Sequence, residues 1–402
     1  MNSREKVRKM FRGELTDGMV IDFAGMNSTG IHSQAYNVLV KALGLPERPV
    51  RVYDVFLQTA YPEVDVIDKM GGDFMQVTRM RPRFGISLKQ WKQGTLPDGT
   101  PCLYPGEFEP LTDASGNKDI YVNGVPFARM PANGLYYDQI VHPLEHVDSV
   151  EELERVYRPA RWEDDEVQFV TERANELYET TDKSLVLGFG ASIFEQAQRD
   201  FNYEQLFINL LTDPELMHAY SRITTDAYLY NLEQILPKVR GKVDVVQFFD
   251  DLGTQSALQI APDTYREMIK PYHTELFAAV HRLAPDAKVL LHSCGAIFDI
   301  IPDLIESGVD LLNPVQISAD GMDPQRLKDT YGKDIIFWGG GADMQQLVQS
   351  APDVATVRRH VDKLARIFSP GGNVVFSQIH NIQPGVDIEK VTAIYDVARQ
   401  YK

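Results

Sequence analysis

From residue 184 onward the chain alternates between short, almost wholly apolar runs and longer stretches in which apolar residues recur every three to four positions. The runs fall at 184–189, 243–249, 288–293, 309–315, 334–339 and 373–379. A run that is apolar at nearly every position predicts a strand covered on both faces, as a parallel sheet requires. The stretches between them predict helices up to about residue 236, over 262–283, 296–307, 323–331 and 343–368, and a closing helix over 387–401. Earlier in the chain, 18–23 and 73–77 read as two more strands. Helices are expected over 3–12, 31–43, 52–70, 150–157 and 163–180, the first with Ser3 as its N-cap. Eight strands, each followed by helix, predict a closed (β/α)8 TIM barrel rather than an open doubly wound sheet.

Residues 84–143 break this rhythm. Asp98-Gly99, Ser115-Gly116-Asn117, Asn123-Gly124 and Asn133-Gly134 are turn signals set between short alternating runs, and they predict β-hairpins. The expected organisation is a single barrel domain over 1–402, with a β-rich insertion at 84–143 after the second strand.

Barrels of this kind place their chemistry at the C-terminal ends of the strands, and several of those ends are polar here. The fifth strand closes in His292-Ser293-Cys294-Gly295. On an extended chain, residues two apart share a face, so the His292 imidazole and the Cys294 thiol emerge side by side. Both are ligands that zinc favours. His380 ends the eighth strand above the same mouth and is the candidate third ligand. Three protein ligands with a fourth position open would be a catalytic zinc arrangement. Asp250 and Asp251 end the fourth strand, and one of two such neighbours is expected to turn away as a helix cap. Each of the pair could support a ligand, serve as a fourth ligand or act as general base; Asp250 is the candidate catalytic residue of the two, and Asp22, at the end of strand one, is a second candidate, which either steers a ligand or closes a turn. Asn27, Glu195, Gln316 and Gln383 are candidate substrate contacts. The Gly339–Gly341 run reads better as a tight turn than as a phosphate cradle, and neither a Ser/His/Asp motif nor a dinucleotide fingerprint is present.

Composition narrows the partners. The 402 residues are 44% hydrophobic and 24% charged, enough for a large core. A net charge of −17 argues against nucleic acid or an anionic membrane surface as the main partner. Two cysteines, Cys102 and Cys294, are too few for a disulfide framework and fit a reducing compartment. No apolar run reaches the roughly eighteen residues of a membrane span, and the charged residues 1–12 lack the apolar core of a secretory signal. The expectation is a cytoplasmic protein, for which a homodimer is compatible.

Six stretches are similar to the uroporphyrinogen decarboxylase-like superfamily: Phe249-Asp-Asp-Leu-Gly, Lys270-Pro-Tyr-His, His292-Ser-Cys-Gly, Asp310-Leu-Leu-Asn-Pro-Val-Gln, Phe337-Trp-Gly-Gly-Gly and His380-Asn-Ile-Gln. The resemblance covers 244–402 well and 1–182 weakly, and it too implies a (β/α)8 barrel. The decarboxylases carry an arginine-rich segment of the type Met-Arg-Gln-Ala-Gly-Arg that grips porphyrinogen carboxylates. Phe23-Ala-Gly-Met-Asn-Ser-Thr-Gly stands in its place, so no arginine is expected near Asn27 and porphyrinogen decarboxylation is not expected. The His-x-Cys-Gly motif instead resembles the zinc methyltransferases of the superfamily, which work with corrinoid proteins. That resemblance implies zinc, cobalamin carried by a partner corrinoid protein, and a small methylated donor. Those enzymes usually end the last strand with a cysteine ligand, where this chain has His380. One thiolate and two imidazoles would leave the zinc dication at about +1, a stronger Lewis acid toward the oxygen of a methyl ether. Two other readings are a decarboxylase or lyase of a small carboxylated substrate steered by Asp22 or Asp250, and a catalytically silent binding barrel.

Overall fold

Eight short strands form one parallel sheet in the computed structural model, which describes residues 1–15 and 18–402. They are β1 (Val20–Ile21), β2 (Phe74–Val77), β3 (Ser184–Ala191), β4 (Val243–Phe249), β5 (Lys288–His292), β6 (Leu311–Asn313), β7 (Ile336–Trp338) and β8 (Val374–Phe376). Their order around the sheet is β1-β8-β7-β6-β5-β4-β3-β2. A side chain helps close the ring between β1 and β2. Asp73 donates its backbone N–H to the Ile21 carbonyl at 2.7 Å, and its carboxylate accepts the Ile21 N–H at 2.8 Å. The same carboxylate takes the Ser3 hydroxyl at 2.8 Å and the Lys402 ammonium at 2.6 Å. The result is the (β/α)8 TIM barrel expected from the strand runs.

Two buried layers hold it. Inward residues Val20, Phe74, Val186, Val245, Leu290, Leu311, Trp338 and Val375 fill the barrel, with Val7 and Met10 of the helix Ser3–Phe11 packed into the same cluster. Complete burial of such side chains stabilises by about 1.5–3 kcal/mol each. A larger cluster lies between strands and helices. Between β2 and β3 run the hairpins that the turn signals predict. Lys118–Val122 and Val125–Met130 are joined by Asn123 and Gly124 at φ +52° and +79°, the two positive φ angles a tight hairpin turn needs.

Several local expectations are corrected. The helix expected over 52–70 exists only as Val64–Met70. Val50–Asp54 and Thr59–Ala60 are strands, because the Val-Arg-Val-Tyr alternation gives an edge on which Pro101–Pro105 pairs, Val50 opposite Cys102. The first helix is capped by Asn2, whose side chain accepts the Glu5 N–H while Glu5 accepts that of Asn2. Ser3 is free to reach Asp73. The stretch 262–283 splits into Pro262–Met268 and Lys270–Leu283, since Pro271 lacks the N–H that a continuous helix would use. Within 343–368 the regular helix begins only at Val354, capped by Asp353. Gly339 opens a close approach: a Cβ there would lie 1.9 Å from the Pro314 oxygen. No helix among the described residues is long and apolar enough to cross a membrane.

Candidate metal centre at the barrel mouth

Strands β4 and β5 pair in register up to Phe249 opposite His292. Beyond those residues each chain turns, and the two turns are bonded to one another. Asp250 N–H donates to the His292 carbonyl (2.9 Å), Leu252 N–H to the Ser293 hydroxyl (3.1 Å), Cys294 N–H to the Asp251 carboxylate (2.8 Å) and Ala296 N–H to the Thr254 carbonyl (2.8 Å). Gly295 sits at φ +92°, and a Cβ on it would lie 2.4 Å from the Gly253 carbonyl carbon. Glycine alone permits this contact. The motifs Asp-Asp-Leu-Gly and His-Ser-Cys-Gly are therefore two halves of one stacked structure.

That stacking brings ligand atoms of Asp251, His292 and Cys294 within 4.8 Å of one another. His292 Nε2 lies 3.4 Å from Cys294 Sγ and 3.8 Å from Asp251 Oδ1. The tautomer of His292 is set from behind. Asn313 donates its amide N–H to the Trp338 carbonyl at 2.9 Å, so its Oδ1 faces His292 Nδ1 at 2.6 Å. Nδ1 must carry the proton, which leaves the Nε2 lone pair toward Cys294 and Asp251. Ser28 also donates to Asn313 Oδ1, and buried Gln247 donates to Ser28.

The candidates from sequence fall into place unequally. Asp250 is fully buried and caps the helix Phe194–Phe201, accepting Ile193 N–H (2.8 Å) and Glu195 N–H (2.7 Å). It also accepts His273 Nε2–H at 2.7 Å, while Tyr265 donates to His273 Nδ1. Of the acidic pair it is Asp250 that turns away and Asp251 that meets the imidazole and thiol. His380 stands outside the group whose ligand atoms share 4.8 Å. It is near enough that burial, and then the charge of His292, hold its imidazole toward neutrality against the pull of Asp251. Asp22 is enclosed, accepting Gly25 N–H, the Thr29 hydroxyl and the Trp338 indole N–H. Burial pushes its carboxyl up to about 6 despite those bonds. Gln316 accepts Gly295 N–H at 2.9 Å and so steadies the turn. Gln383 lines a cavity of about 370 Å³ beside His380.

Glu195 is the acid whose chemistry the mouth alters most legibly. Burial, with Asp251 and Asp250 adding repulsion, raises it from 4.5 to about 7 against the pull of Arg199. A carboxyl raised by folding favours the folded state while protonated, and that contribution fades as pH climbs through about 7. Metal-free protein is therefore expected to lose more stability between about pH 5 and about pH 8 than its Glu195→Gln variant, by on the order of 1–3 kcal/mol. Urea titrations at the two pH values measure it, and parallel losses in both proteins would contradict the assignment.

Sequence reasoning missed a group of arginines. The expectation that no arginine stands near Asn27 is wrong: Asn27 shares a narrow cavity with Arg79, Arg83 and Arg199. Arg79 and Arg83 follow β2 and Arg199 lies on the helix Phe194–Phe201, so applying the strand-end rule to β2 would have flagged the first two.

A parallel barrel whose strand ends gather an acid, an imidazole and a thiol has the architecture of an enzyme built on its C-terminal rim. The chain belongs to the uroporphyrinogen decarboxylase (URO-D) family, whose model matches residues 136–401. It is 26% identical over 191 residues to a uroporphyrinogen decarboxylase of Thioalkalivibrio sulfidiphilus, covering 46% of this chain and 49% of that protein. The chain thus spans about half the length of that curated relative. A methyltransferase from Methanosarcina mazei superposes with a TM-score of 0.59 at 15% identity, covering 100% of this chain and 99% of that one. Xylanase 10B from Thermotoga maritima gives a TM-score of 0.37 at 11% identity, covering 60% and 82%.

Proposed function

We propose that the chain is a zinc-dependent methyltransferase that moves a methyl group between a small methylated donor and the cobalamin of a partner corrinoid protein. The observation that supports it most is the Asp251–His292–Cys294 group on two mutually bonded turns. Its nitrogen, sulfur and oxygen donors suit zinc and leave a fourth position open. The electrostatics also suit a cation, because burial and the neighbouring Asp251 and Glu195 carboxylates drive the Cys294 thiol well above its ordinary range. Full-length likeness to a methyltransferase barrel is in keeping with this reading.

Asp251, His292 and Cys294 would hold the zinc, which when bound would supply Lewis-acid chemistry toward the donor's heteroatom. The protein's own residues do the rest. Asn313 keeps the proton on His292 Nδ1. The Phe249 ring, 5.4 Å from that of His292, shields one side of the imidazole from water. Glu195, raised to about 7, holds a proton for the oxygen that loses its methyl group. With Asp251 as a ligand, thiolate and carboxylate together neutralise the dication. The preference for an ether donor then rests on the proton of Glu195 and no longer on surplus metal charge. A cytoplasmic setting keeps Cys294 reduced.

Protein purified without chelators should hold about one zinc per chain and methylate cob(I)alamin from a methyl ether in a single turnover, followed by absorbance. Absence of metal, or metal without methyl transfer from ether or thioether donors, rejects the reading. The arginine cavity favours one alternative, decarboxylation of a small carboxylated substrate. It predicts carbon dioxide release with no cobalamin present.

A further inference from the structure

Phe249 packs on His292 and also lines a narrow cavity of about 50 Å³, whose polar lining includes Asn27, Gln247, Arg79, Arg83 and Arg199 and one acid, Asp54. The three guanidiniums also border an adjoining cavity of about 480 Å³. Each guanidinium offers five N–H donors, and the protein engages few of them. Arg79 donates once to Glu166 (3.2 Å), and Arg199 once to Glu195 (3.2 Å). Arg83 has Asp54 at 3.6 Å and donates no hydrogen bond among the described residues. Asp54 Oδ1 takes the Phe56 and Leu57 N–H groups, and its Oδ2 is the oxygen that faces Arg83. Opposite these donors, two buried acceptors, Asn27 Oδ1 and Gln247 Oε1, have no partner. Gln247 is fully enclosed, and its amide nitrogen is held by Ser28. Such a buried, unpaired acceptor is unfavourable, and a ligand carrying a hydrogen-bond donor would satisfy it.

An aromatic surface stands beside Arg83. The Phe56 ring lies under the Arg83 guanidinium at 5.4 Å and belongs as well to the 370 Å³ cavity with Leu57, Tyr136 and His380. We propose that the arginine cavity is a carboxylate subsite and that the substrate is a small aromatic acid, its carboxylate on Arg83 and Arg199 and its ring against Phe56. The flat guanidinium fork suits a planar carboxylate better than a tetrahedral anion. Identifying that acid as the methyl donor, a methoxybenzoate, rests on the methyltransferase reading. The subsite itself does not.

Isothermal titration of the purified protein tests it with 3-methoxybenzoate, the neutral 3-methoxybenzyl alcohol and inorganic phosphate, with zinc content measured in parallel. The benzoate should bind at least about tenfold more tightly than the alcohol. Arg83→Gln should erase that preference, Arg83→Lys should retain part of it, and the alcohol should bind all variants alike. Equal affinities for acid and alcohol in the wild type, an unchanged preference in Arg83→Gln, or tighter binding of phosphate than of the benzoate each overturn the subsite. The wild-type comparison decides even if the variants do not fold. Arginine-dependent benzoate binding without methyl transfer to cob(I)alamin keeps the subsite and removes the methyltransferase reading. Transfer from a neutral ether with no benzoate binding does the reverse.

Discussion

Cys294→Ala is expected to abolish zinc binding at the proposed centre. Of the two cysteines, Cys102 is buried in the hairpin strand Pro101–Pro105, so no second thiol can substitute at the mouth. Structural zinc sites with four ligands are worth about 10–16 kcal/mol. Loss of one ligand of three should then cost about 3–4 kcal/mol, a drop of about two to three orders of magnitude in affinity. Competition against a chromophoric chelator measures this directly. The metal-free fold should change by no more than about 1–2 kcal/mol, because the thiol, raised by burial and by Asp251 and Glu195, carries no charge without metal and its loss removes only one small side chain. A variant that keeps stoichiometric zinc would sink the metal centre as drawn.

The second large effect separates Asp251 from His380. Asp251→Asn retains an oxygen that can accept the Cys294 N–H, so the turn survives while the anionic donor is lost. Its zinc affinity is expected to fall about a hundredfold. His380→Ala, outside the ligand group, should lose well under tenfold and act mainly on turnover, since its imidazole borders the 370 Å³ cavity. Titrating both variants with zinc gives the ranking. If His380→Ala is the weaker binder, the strand-end expectation was right, Asp251 is only a support, and the charge argument for an ether donor returns.

The contrast between those two residues shows where sequence stops. Strand runs could be read from local pattern, since apolarity on both faces leaves few alternatives to a parallel barrel, and the Asn123-Gly124 turn was equally local. His292 and Cys294 followed from spacing on one strand. The choice between Asp250 and Asp251 depended on where the helix Phe194–Phe201 begins, a contact across nearly sixty residues of sequence that no local rule carries. His380 lies at φ +65°, off the extended path, so strand periodicity alone does not fix where its side chain points. The strand-end rule could mark Arg79, Arg83 and Arg199 one by one, but their convergence on Asn27 belongs to the tertiary fold. The segment 50–60 became strand because a distant hairpin offered it an edge.

The stacked turns at Gly253 and Gly295 have a consequence for how metal enters and leaves. The geometry of the acid, imidazole and thiol is set by strand pairing and by hydrogen bonds from backbone N–H groups of one turn to carbonyls, Ser293 and Asp251 of the other. Small zinc domains fold only when loaded; here large apolar clusters that include none of these three side chains hold the barrel. Removing and restoring an ion is then exchange through the mouth of a folded barrel, and an ion bound only by the folded chain raises its thermal midpoint in step with its affinity.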